Sequence, residues 1–162
     1  MLRSLTSHTT GMPVVDASSD FQRARRAQLA ARAGRWLAGR RRGPKAPLTL
    51  ADAAIAVPGG ASRLEVIPLR EIVGTVEPTL HFDARFRPAS ELVRKRWERV
   101  ALAYRRGIGL PPIAVLERPD GYYVIDGRHR VSVALALGHV DIEARVTRAM
   151  SRPRSRRGGC EG

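Results

Sequence analysis

The sequence predicts a small α/β (α+β) domain over residues 61–148, a mixed sheet with packed helices, preceded by a basic helix. Three observations predict it. Residues 63–67, 113–116, 122–125 and 141–146 read as short apolar or alternating strands bounded by Pro, Gly and Asp. Residues 89–106 and 128–137 instead repeat apolar side chains at helical spacing. The two helical stretches are interleaved with the strands, which favours one layered domain over separate helical and sheet parts.

Residues 1–18 are polar and aperiodic, and are expected to be disordered. Ser18-Ser19-Asp20 offers a helix N-cap, and residues 21–42 are helix-prone. Phe21, Ala24, Gln28, Leu29, Ala33, Trp36 and Leu37 fall near one face, with arginines on the other. That apolar face is thin, which suits docking on the domain or a partner better than insertion into a bilayer. Gly43-Pro44 stops the helix, Thr49 is placed to cap a short helical segment over 50–56, and Pro58-Gly59-Gly60 is a linker. The organisation read from this is a disordered 1–18, a basic amphipathic helix and linker over 19–60, the domain at 61–148, and a disordered basic tail from 149 to 162.

Within the domain, Arg63-Leu64-Glu65-Val66-Ile67 alternates and Pro68 ends it. Residues 69–73 suit a helical turn. Residues 74–88 read as a long loop carrying Pro78, His81, Asp83, Arg85 and Arg87. Loops of that length are often functional, and this one could close over a ligand, although a solvated loop is the plainer reading. In the helix at 89–106, Leu92, Val93, Trp97, Val100, Ala101 and Tyr104 share the inner face. Arg94, Lys95, Arg96 and Arg99 mix with Glu91 and Glu98 on the outer, solvated one. Asp120-Gly121 turns the strand at 113–116 into its return at 122–125, where one of Tyr122 and Tyr123 points inward. Helix 128–137 turns Val131, Ala134 and Leu135 inward, Gly138 caps it, and the last strand follows.

The length of 162 residues suits one domain with flexible ends. No apolar run reaches the roughly eighteen residues a membrane span needs, and the N-terminus lacks the apolar centre of a secretory signal. One cysteine, Cys160, cannot make an internal disulfide, so a cytoplasmic location is expected. The net charge is +14, and its placement matters more than its total. Residues 1–50 carry ten basic and two acidic side chains, against fifteen and twelve in 51–150 and four and one in 151–162. Basic flanks of this kind attract DNA by counterion release, without sequence specificity. An arginine-rich composition with a merely solvated surface is the alternative.

The chemistry concentrates at Asp126-Gly127-Arg128-His129-Arg130, where a strand end opens into a helix N-terminus. Unpaired N–H groups and the positive end of the helix dipole make that position a ready anion site. Gly127 permits a tight turn and close ligand approach. Arg128 and Arg130 add forked donors suited to phosphate, His129 could donate or shuttle a proton, and Ser132 could add a hydroxyl. Asp126 could hold Mg²⁺ beside a phosphate or act as a base. The same residues also fit a structural role, with Asp126 as helix cap and the cations in solvent.

The stretch Leu110-Pro111-Pro112-Ile113-Ala114-Val115-Leu116, the stretch Gly121-Tyr122-Tyr123-Val124-Ile125-Asp126-Gly127-Arg128-His129-Arg130, and the Ala/Leu helix after them resemble the ParB/sulfiredoxin superfamily. Val66-Ile67-Pro68-Leu69-Arg70-Glu71-Ile72 is similar to that family's first strand and turn. Against the Gly-Glu-Arg-Arg loop of ParB proteins, Gly127 and Arg130 match, and a helix-turn-helix domain would normally follow. Against the Gly-Cys-His-Arg loop of sulfiredoxins, Arg128 stands in place of the cysteine, so sulfinic-acid reduction is disfavoured. Against the Asp-Gly-His-Thr-Arg loop of the free-serine kinases, Asp126, Gly127 and Arg130 match, and Glu71 is nearest to that branch's glutamate. The resemblance implies a stand-alone ParB N-terminal-like domain binding a nucleotide (CTP or ATP), with Mg²⁺, in chromosome-partitioning-like or regulatory association with DNA. The alternative is a small Mg²⁺-dependent phosphotransferase or nucleotide hydrolase using Asp126 or Glu71, with a nuclease ranked last.

Overall fold

The hairpin expected around Asp120-Gly121 forms the middle of the sheet. A computed structural model describes residues 9–38, 47–49 and 61–148. The elements in order are α1 (Pro13–Leu37), β1 (Leu48–Thr49), β2 (Arg63–Pro68), β3 (Ile72–Thr75), α2 (Arg94–Arg105), β4 (Ile113–Arg118), β5 (Gly121–Asp126), α3 (Arg128–Leu137) and β6 (Asp141–Arg148). The fold class is the expected mixed α/β one. The strands form a sheet in the order β1-β3-β5-β4-β6-β2. β4 and β5 pair antiparallel, as do β2 and β6, while β3 with β5 and β4 with β6 run parallel.

Two apolar clusters hold the layers together. In the first, Ile67, Ile113, Val115, Val124, Ile142, Ala144 and Val146 from the strands meet Val131 and Ala134 of α3. In the second, Phe21 of α1, Trp97 and Ala101 of α2 and Val133 of α3 close over Phe82. The Phe21 and Trp97 rings meet edge to face at 5.5 Å, and Trp97 Nε1 donates to Ser132 Oγ at 2.8 Å. Each large apolar side chain buried this way contributes roughly 1.5–3 kcal/mol before its loss of freedom is counted.

The structure departs from the sequence reading in several places, one of them Leu92, placed with the inner face of the helix at 89–106 but 83 % exposed because 91–93 form a separate 3-10 turn ahead of α2. α1 begins at Pro13, ahead of Phe21, because proline suits the first helical position. Asp20 is therefore no cap: it is buried inside α1, where Arg105 Nε donates to it at 2.7 Å. Leu29, Trp36 and Leu37, placed with the apolar face of α1, are exposed at 46, 74 and 76 %, since the stripe packed on α2 runs through Ala17, Phe21, Ala24 and Gln28 and they lie roughly a quarter turn or more round the helix from it. Residues 72–75, read as the end of a turn and the start of a loop, form β3; a short parallel strand lacks the alternation that marks a half-buried one. Leu135 of α3 is 39 % exposed while Val133 is buried, because α3 packs on α2 as well as on the sheet. Thr49 lies in β1 beside Thr75. The helical segment at 50–56, the linker, the tail from 149 and residues 1–8 lie outside the described residues. No helix among the described residues is long and apolar enough to cross a membrane.

Candidate functional site

Strand direction gathers the site. Thr75 lies opposite Val124 in the parallel β3–β5 pair, so the chain leaving β3 reaches the level of Asp126 within a few residues, at Glu77. β4 runs the other way, with Ala114 opposite Asp126, so its lead-in Pro111-Pro112 arrives at the same end. The carboxyl ends of β3 and β5 and the start of α3 thus share one edge, where open α/β sheets leave a crevice. A cleft of about 760 Å³ occupies it. Its walls are residues 77–82, residues 126–130, Arg96 and Val100 of α2, and Leu110-Pro111. That volume lies in the range of small-molecule sites.

Gly127 makes the corner. Its φ of +106° is a left-handed conformation, and a Cβ there would lie 2.5 Å from Ile113 Cγ2. No side chain caps α3, so its first-turn N–H groups remain for another acceptor. Asp126 does not cap either: its Oδ2 accepts from Arg130 Nη2 at 2.6 Å. Arg130 also donates to the carbonyls of Pro111 and Pro112, the latter at 2.9 Å, and its side chain is only 12 % exposed. It is a brace between the loop and the start of β4, with one face on the cleft.

Arg128 donates to Glu77 Oε2 at 3.3 Å. Those two arginines are thus partly neutralised by Asp126 and Glu77. Arg96 is not: it is exposed on the cleft wall, with no ion pair among the described residues. His129 stands edge-on to Phe82 at 5.2 Å. Burial, then the nearby Arg96, Arg128 and His81 charges, push its pKa down to about 4, with Asp126 opposing. At neutral pH it is therefore an uncharged imidazole, able to donate or accept.

The other residues singled out in the sequence divide clearly. His81 lines the cleft. Asp83 does not: it is buried, accepting from the Arg85 and Arg87 amides and from Arg87 Nε at 2.9–3.0 Å. Arg87 then reaches the Ala27 carbonyl at 3.1 Å, so this pair folds the loop onto α1, and Arg85 stands off the cleft wall. Ser132 is removed from the loop's chemistry: at 2 % exposure its hydroxyl serves Trp97 in the core. Glu71 is removed too. Its neighbour Ile72 lies opposite Tyr122, which puts Glu71 at the far end of β5, about 16 Å of strand from Asp126. Tyr123 is the inward tyrosine, its hydroxyl donating to Asp120 at 2.6 Å, and Tyr122 packs partly on the core.

Two charged lining residues escaped the sequence reading of the site. Glu77 is an unremarkable loop acid until β3 is seen to be a strand parallel to β5. Arg96 belongs to a run of cations on α2, and only the docking of α2 beside α3 distinguishes it from Lys95 and Arg99. No group of three or more His, Cys, Asp or Glu side chains among the described residues is placed to hold a metal. For Mg²⁺ the fit is partial, since Asp126 and Glu77 are already paired with arginines; a shared ion would have to bring most of its oxygen ligands with it.

The fold and cleft define a mixed α/β protein with a cationic crevice at the carboxyl ends of parallel strands. Among solved structures, it is similar to sulfiredoxin from Arabidopsis thaliana at 21% identity and a TM-score of 0.37, over 53% of this chain and 85% of that one. No family model and no curated protein matches the sequence.

Proposed function

We propose that this protein is a ParB N-terminal-like binding module that holds a nucleotide by its phosphates in the cleft at 126–130. The observation that carries the proposal is the unpaired guanidinium of Arg96 on the same wall as the uncapped first turn of α3. A polyanion there satisfies free N–H groups, meets the positive end of the helix dipole and neutralises the excess cation. Arg128, released from the exposed Glu77, adds a forked donor. Leu80, Phe82, Val100 and Leu110 give the remaining wall an apolar lining suited to a base or sugar face.

Binding is favoured over turnover. Glu71 is remote, and Asp126 is tied to Arg130, so neither is a free base beside the phosphates. Mg²⁺ carried on those phosphates would meet Asp126 and Glu77, and would supply charge neutralisation there.

Calorimetric titration with CTP, ATP and GTP, with and without Mg²⁺, tests the reading. Saturable binding is expected, weakened about tenfold or more by Arg96→Ala and by Arg128→Ala, the effect of losing a charge-assisted hydrogen bond. Asp126→Asn should leave phosphate affinity largely in place. Absence of binding to the folded protein, or binding indifferent to both arginine substitutions, would overturn it. Nucleotide turnover abolished by Asp126→Asn would favour the Mg²⁺-dependent enzyme instead.

A further inference from the structure

The last turns of α1 leave the body of the protein. Arg105, at the end of α2, reaches Asp16 and Asp20, while Arg25 reaches Glu91, three residues ahead of α2, so the two helices run antiparallel. Contact ends around Ala27 and Gln28, where Arg87 meets the Ala27 carbonyl. From Leu29 onward no residue of α1 is buried, and a Cβ at Gly34 would find no atom within 4 Å. At the rise of an α-helix, residues 29–37 extend about 13 Å beyond that contact.

The character of this arm is specific. Ala17, Phe21, Ala24 and Gln28 form the stripe buried against α2, and the same spacing continues into Arg32 and Arg35. The packing stripe thus turns cationic where the partner helix stops. Both carboxylates of α1, Asp16 and Asp20, are buried and paired with arginines, so the arm carries no negative charge of its own. The side chains of Arg26, Arg32 and Arg35 have no ion pair or hydrogen bond among the described residues. Trp36, four residues after Arg32, is 74 % exposed, whereas Trp97 is fully buried. Only Leu29, Trp36 and Leu37 are bulky on the apolar side of the arm, and exposed Arg26 stands on that same side one turn earlier, so the face is thin for a bilayer.

We infer that the projecting end of α1 is an arm for single-stranded nucleic acid, with Arg32 and Arg35 on backbone phosphates and Trp36 stacked on an unpaired base. Arginine forks match phosphate oxygens, and an exposed indole beside them offers the ring surface that sequence-tolerant stacking uses. No residue of the arm lines the cleft, so the two readings stand or fall independently.

The test titrates the full chain with a fluorescein-labelled oligothymidylate across a salt series, reading anisotropy and tryptophan emission. Binding is expected to weaken with salt, and Trp36 emission to be quenched. Arg32→Glu with Arg35→Glu should lose at least tenfold in affinity. Arg32→Ala with Arg35→Ala should lower the slope of log affinity against log salt by about 1.4, two single-strand phosphate contacts. Trp36→Phe should remove the quench while the circular dichroism and melting stay unchanged. Unaltered affinity and slope in the arginine variants would overturn the inference. So would equal affinity for duplex without quenching, or binding to phosphatidylserine vesicles in place of the oligonucleotide. Nucleotide titration of the arginine variants at the cleft should match the parent protein, which keeps a failure here distinct from a failure there.

Discussion

Gly127→Ala perturbs the corner on which the cleft depends, and the structure supplies its magnitude. The residue sits at φ +106°, where an L side chain is strained by about 1–2 kcal/mol. The new Cβ would also lie 2.5 Å from Ile113 Cγ2, 2.9 Å from Ile113 Cβ and 3.1 Å from Arg130 Nη2. Ile113 is fully buried at the start of β4 and cannot move without displacing its neighbours, and overpacking of that kind costs about 1–3 kcal/mol. Together the expected loss is about 2–5 kcal/mol, a large part of the 5–15 kcal/mol typical of a domain. Gly138→Ala provides the control: φ is +81°, but nothing lies within 4 Å of its Cβ, so only the backbone strain applies. Urea unfolding of both variants should show equal denaturant slopes and a difference of about 1–3 kcal/mol, the contribution of the Ile113 contact. The reasoning is refuted if Gly127→Ala is no more destabilising than Gly138→Ala.

Ser132→Ala leaves the buried Trp97 Nε1 without an acceptor, so stability should fall by about 1–3 kcal/mol while nucleotide titration is unaffected; lost binding with intact stability would return Ser132 to the site. The pH dependence follows from His129. Its folded pKa of about 4 lies below the ordinary 6.5, so between these values the unfolded chain binds more protons. The contribution of neutral His129 is therefore complete above pH 6.5 and is lost as pH falls toward 4, on the order of 2 kcal/mol after screening at a partly exposed site. Chemical unfolding at pH 7 and pH 4.5 should show a loss that His129→Gln reduces; an identical loss in that variant would place the titration elsewhere.

The loop and brace give the arginines of 126–130 different duties. Arg130 is held by two carbonyls and a carboxylate, so it shapes the corner more than it meets a ligand. Arg128 pairs with the exposed Glu77, and Arg96 makes no ion pair among the described residues. A ligand phosphate therefore competes for Arg128 and Arg96 at little structural cost.

The sequence by itself determined the elements whose signal is local. Alternation over 63–67, the Asp120-Gly121 turn, the apolar spacing of α2 and α3 and the glycine at 127 each express a dihedral or periodic requirement within a few residues. Those signals also located the strand-to-helix corner, because an Asp-Gly break between a strand and an Ala/Leu helix is itself local. The tertiary structure alone decided which side chains meet there. β3 is visible only through its parallel pairing with β5, and that pairing brings Glu77 to the corner while carrying Glu71 to the opposite end of the strand. The docking of α2 beside α3 brought Arg96 onto the wall, turned Ser132 into the partner of Trp97, and left Trp36 beyond the end of the packed interface. Contacts between residues far apart in the chain depend on strand order and helix length together, and neither is encoded in any single window of sequence.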